Sequence, residues 1–118
     1  MSREVLSRRP FQRKRTEEIG IMLKHVVFFK FKPEVKEPDI LELEKGLTAL
    51  PGAIPEIQEY GFGRDVIHSD RSYDFALVSS FADLEAMERY QNHPDHLRVV
   101  EVVKRLSSSI LVVDFYQR

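Results

Sequence analysis

The chain has 118 residues, 42% of them hydrophobic and 31% charged, with a net charge of −1 and no cysteine. That length suits one domain, the composition is globular rather than disordered, and no apolar run approaches the ~20 residues of a membrane span. Without cysteine there is no disulfide, thiolate nucleophile or Cys-ligated zinc, and a near-neutral charge argues against a nucleic-acid partner. A cysteine-free sequence fits the cytoplasm.

Charge is uneven along the chain. Residues 1–21 carry six basic side chains (Arg3, Arg8, Arg9, Arg13, Lys14, Arg15) against Glu4, Glu17 and Glu18, with no long apolar stretch of a secretory signal. We read 1–21 as a flexible N-terminal extension and 22–118 as the folded domain.

The first strand is expected over residues 23–32. Its alternation places Leu23, His25, Val27, Phe29 and Phe31 on one face and Lys24, Val26, Phe28, Lys30 and Lys32 on the other, and Pro33 ends it. A helix follows, opened by Pro38 or Asp39, with Ile40, Leu43, Leu47 and Leu50 at helical spacing; Pro51-Gly52 is its expected stop. Residues 56–62 form a weaker strand, and Gly63 to Ser72 a loop. Tyr73–Phe81 alternate as a third strand, with Tyr73, Phe75, Leu77, Ser79 and Phe81 on one face.

Asp83 caps a short helix with Leu84, Met87 and Tyr90 as its apolar residues. His93-Pro94 breaks it, because a residue before proline avoids the helical region, and Pro94 suits the first turn of a new helix. That helix runs through Leu97, Val100, Val103 and Leu106 to about Ser107, and 109–116 make the last strand. The order β-α-β-β-α-β is the ferredoxin-like α+β pattern, with a four-stranded antiparallel sheet and the helices on one face.

Helices cover one face of such a sheet, so the other should be polar in a monomer. Here it carries Val26, Phe28, Val78, Leu111, Val113 and Phe115. A second copy of the same sheet is the simplest cover, which predicts a homodimer.

His25, Tyr90, His93 and His96 are the candidate site residues. Histidine, with an unperturbed pKa near ~6.5, serves as a general base, and a tyrosine phenol donates hydrogen bonds. Helix N-terminal amides disfavour a charged imidazole at His96. The competing reading is structural: His93 caps the helix and Tyr90 packs in the core. No carboxylate or cysteine accompanies the histidines at a ligand spacing, so neither metal nor cofactor is expected. Phosphate-binding glycine loops, G-x-S-x-G and H-E-x-x-H are absent.

Four segments together carry a resemblance: Met22-Leu23-Lys24-His25-Val26-Val27-Phe28-Phe29-Lys30-Phe31-Lys32, Tyr73-Asp74-Phe75-Ala76-Leu77-Val78 leading to Phe81, Tyr90-Gln91-Asn92-His93-Pro94-Asp95-His96, and Val113-Asp114-Phe115-Tyr116. In this order and spacing the chain resembles the stress-responsive α/β-barrel (Dabb) family of the dimeric α+β barrel superfamily. The resemblance implies two sheets packed face to face as a barrel, and a small-molecule pocket between helices and sheet that His25, Phe29, Tyr90, His93 and His96 would approach. It further implies two functional classes: a stress-associated homodimer with no assigned reaction that binds a small apolar or carbonyl-containing ligand, and a cofactor-free cyclase or lyase. In the second, His96 is the base, Tyr90 the donor to a carbonyl and His25 a polar wall, as in plant members that cyclise polyketides. A third class, the monooxygenases of the superfamily, finds no distinct motif here.

Overall fold

The computed structural model describes residues 21–118. Its elements are β1 (Met22–Phe31), α1 (Glu37–Ala53), β2 (Glu59–Arg64), β3 (Phe75–Phe81), α2 (Leu84–Gln91), α3 (Pro94–Leu106) and β4 (Ser107–Gln117). The strands form one antiparallel sheet in the order β2-β3-β1-β4. The expected α+β, ferredoxin-like arrangement is therefore the observed one. The expected extension over 1–21 lies outside the described residues except for Ile21, which is buried.

β1 sits centrally and its alternation sets both faces. Leu23, Val27 and Phe29 join Leu43, Leu47 and Leu50 of α1, Phe75, Leu77 and Phe81 of β3, Met87 and Tyr90 of α2, and Val99, Val103 and Leu106 of α3 in one core. Phe29, Phe75 and Phe62 stack across three strands, with centroids 5.8 Å apart at each step. At Gly46 a Cβ would meet Val99 Cγ2 at 3.3 Å, so glycine there lets α1 approach α3 closely despite its cost in a helix.

Several boundaries differ from the sequence reading. α1 starts at Glu37, with Pro38 in its first turn and Asp39 Oδ2 accepting from the Lys36 N–H at 3.0 Å. It runs through Pro51 to Ala53, and the Ile54 N–H closes on Leu50 O at 2.9 Å. Pro51 lacks only its own N–H, which in the last turn costs one bond rather than the helix. β2 begins later than residue 56, because Ile57 N–H turns back onto Ile54 O, and continues through Gly63 and Arg64, which pair with Ala76 and Phe75. Arg64 is fixed there by Glu37 and Glu44 of α1.

β3 begins at Phe75 because Asp74 turns its carboxylate on the β1 backbone, accepting from Phe31 N–H at 2.8 Å next to a register shift at Lys30/Phe31. In α2 and α3 the inward faces are Ala86, Met87 and Tyr90, and Val99, Val103 and Leu106; the expected core residues Leu84 and Leu97 are exposed. α3 passes into β4 at Ser107 without a loop.

The described helices leave the opposite sheet face uncovered. Phe28, Val78, Leu111, Val113 and Phe115 are all exposed there. No helix among the described residues is long and apolar enough to cross a membrane.

Candidate functional site

A trough of about 240 Å³ lies between β1, β4 and α3, walled by Val27, Phe29, Leu47, Leu77, Val99, Val100, Val103, Ile110 and Val112. Its polar lining is His25, Tyr90, Gln91 and His96, with Lys104. The polar groups converge because of the helix break. His93 takes the N-cap of α3, its Nδ1 accepting from the Asp95 N–H at 3.1 Å, and Pro94 starts the helix. α3 is thereby turned so that the His96 ring meets Tyr90 at 4.3 Å, and the His25 ring reaches Tyr90 from the sheet at 6.4 Å, edge to face.

Each side chain is held in a defined state. Tyr90 is fully buried against Phe81, 4.8 Å between centroids, and burial pushes its phenol up to about 12, so near neutral pH it is an O–H donor. His96 Nδ1 lies 3.0 Å from Gln91 O; a carbonyl only accepts, so Nδ1 carries the proton and Nε2 keeps its lone pair. Burial holds the His96 pKa below its ordinary value, opposed by the Gln91 hydrogen bond. His25 Nδ1 donates to Asp114 Oδ1 at 2.5 Å, a contact made by the direct register of these two residues across β1 and β4. A carboxylate accepting from Nδ1 fixes the orientation and tautomer of the imidazole.

His96 gives the stability a pH dependence just below neutrality. Its pKa is lower folded than unfolded, so the stability it contributes is complete above the unfolded value near ~6.5 and is lost as pH falls below that. The melting temperature should drop as pH falls below about 6.5, and His96→Gln should flatten that drop. An equal slope in parent and variant would assign it to other groups.

Of the residues singled out from sequence, His25, Phe29, Tyr90 and His96 line the trough and His93 does not: it caps α3, as the structural reading expected. That reading also places Tyr90 in the core, where the structure has it, and the same ring lines the trough. Asp114 was missed as a site residue. The signal was its position on the inward face of the last strand, alternating with Val113 and in line with Ile110 and Val112.

The chain is similar to the stress-response A/B barrel domain-containing protein HS1 of Arabidopsis thaliana, 30% identical over 84% of this chain and 93% of that protein. It is also similar to olivetolic acid cyclase of Cannabis sativa, 26% identical over 81% of this chain and 97% of that enzyme. Among solved structures it resembles a dimeric ferredoxin-like protein of unknown function from Thermobifida fusca, with a TM-score of 0.76 and 28% identity, covering 82% of this chain and 92% of that one. Residues 23–117 match the Stress Responsive A/B Barrel Domain across the whole sheet and all three helices, and the chain belongs to that family.

Proposed function

We propose that this domain works as a homodimer that holds a small carbonyl compound in the trough, with the carbonyl oxygen at the Tyr90 hydroxyl and His96 beside it. One observation carries the reading. Tyr90, His96 and His25 gather at one end of a cavity whose walls, Gln91 and Lys104 apart, are otherwise apolar, and one of them is a neutral O–H donor. Apolar walls with a few convergent polar groups are the usual form of a small-molecule site. The dimeric relative from T. fusca and the uncovered apolar sheet face support self-association. A cytoplasmic location belongs to the same reading and rests on the cysteine-free sequence. The test is titration with short ketones while following the imidazole resonances of His25 and His96. Both should move with one affinity, and Tyr90→Phe should weaken binding; resonances that stay fixed at saturating ketone would end the proposal.

The proton states favour a second reading, catalysis without a cofactor. His96 Nε2 is free to accept a proton, Tyr90 can donate to the carbonyl oxygen, and His25, oriented by Asp114, stands beside them. Such a set can enolise a ketone and close an aldol ring, and the resemblance to olivetolic acid cyclase supports this class. A general base contributes typically ~10²–10⁴-fold to a rate, so in a screen of poly-β-keto thioesters His96→Ala should lose about that much and Tyr90→Phe less. If nothing turns over and His96→Ala melts far below the parent, this histidine is scaffold and the enzyme reading falls.

A further inference from the structure

We infer that the trough selects an elongated ligand with two ends: a neutral carbonyl at the His25/Tyr90/His96 end and an anionic group, a carboxylate, at Lys104. The inference rests on the trough being a ligand site and concerns what that site accepts. One face of α3 lines the cavity continuously, through His96, Val99, Val100, Val103 and Lys104. Eight residues separate His96 from Lys104, and at 1.5 Å per residue the two ends lie about 12 Å apart.

The sheet gives the same length independently. His25 and Phe29 of β1 both line the trough, four residues or about 13 Å apart at strand rise. The orientations agree. His25 meets Tyr90 at one end, and the Lys32 N–H donates to Leu106 O at 2.8 Å, which puts the end of β1 beside the end of α3. Between the ends the walls are aliphatic.

Charge sets the direction of the ligand. Lys104 is the only Lys, Arg, Asp or Glu lining the trough among the described residues. Its neighbour Arg105 is taken by Glu42, whereas Lys104 forms no ion pair with a described residue. The opposite end is unsuited to an anion: His96 is held toward its neutral form by burial, and Asp114 lies behind His25. A carboxylate placed there would lose water without gaining a fixed cation, while at Lys104 it keeps water and gains one. At about 240 Å³ the cavity falls below the ~300–1,000 Å³ of sites for drug-sized ligands, which fits a slim unbranched chain.

The experiment compares three probes on the full chain by calorimetry: 2-nonanone, nonanoate and 8-oxononanoate. The oxo acid should bind at least threefold more tightly than the ketone. That advantage should shrink with added salt, vanish in Lys104→Gln, survive in Lys104→Arg, and survive in Lys45→Gln, at a residue lining the separate groove between α1 and α3. Equal binding of ketone and oxo acid, or an advantage that persists in Lys104→Gln, would overturn the anionic end while leaving the carbonyl site standing. Failure of all three probes to bind would remove the ligand site itself and this inference with it.

Discussion

Phe28→Asp is expected to convert a homodimer into a monomer or an unfolded chain. The parent should scatter light as twice 13.8 kDa. Phe28 lies in the middle of β1, paired to Ala76 on one side and Leu111 on the other, and it is 41% exposed in the single chain. In a two-fold interface built on this face each aspartate would be buried without a partner, at an effective cost of several kcal/mol per ion. Lys24→Ala, on the same face but in an ion pair with Glu59, serves as the comparison and should keep the dimer. A Phe28→Asp protein that still scatters as a dimer and melts with the parent would place the interface elsewhere.

Tyr90→Ala should be the most destabilising single change at the site. The ring is fully buried and touches Phe81, His25 and His96, so removing it empties the junction of α2, α3 and the sheet. Truncating a buried aromatic ring costs about 3–5 kcal/mol, and ~1 kcal/mol moves the midpoint of a domain this size by roughly 4–8 °C. A thermal melt should therefore show a fall of more than about 10 °C, if the variant folds at all. Tyr90→Phe keeps the ring and should melt within a few degrees of the parent. The pair separates the packing role of the ring from the ligand hydrogen bond proposed for the hydroxyl. Equal melting of Tyr90→Ala and parent would contradict the packing.

Those parts of the fold written in short-range pattern were legible in the sequence. β1 announces both its faces by strict alternation. Asp83 and His93-Pro94 act within a few residues, so the start of α2, its end and the start of α3 could all be read. Features decided by distant partners were not. Pro51 looks like a stop, but a helix tolerates it in its last turn when Ile54 can still close on Leu50. Gly63 weakens a strand on its own, yet it extends β2 because Ala76 lies opposite. Leu84 and Leu97 fit the helical period, but helices that meet at a break are rotated to present Ala86 and Val99 instead. At the site, His25, Tyr90 and His96 could be found from residue type and position. The carboxylate that completes His25 could not, because Asp114 lies 89 residues away and meets it only through strand register.

The break at His93-Pro94 has a consequence beyond its two helices. In one unbroken helix, residues 90 and 96 would stand about 9 Å apart along the axis and roughly a third of a turn round it, facing different surroundings. The interruption lets a phenol and an imidazole six positions apart share a contact of 4.3 Å. The geometry of the polar cluster is thus stored in a local irregularity of the chain, while the surrounding sheet and helices supply walls. Substitutions along those walls at Val27, Val100 or Val112 can reshape the cavity and leave the cluster as it is. A scaffold divided this way can change what it holds without re-inventing how it holds it.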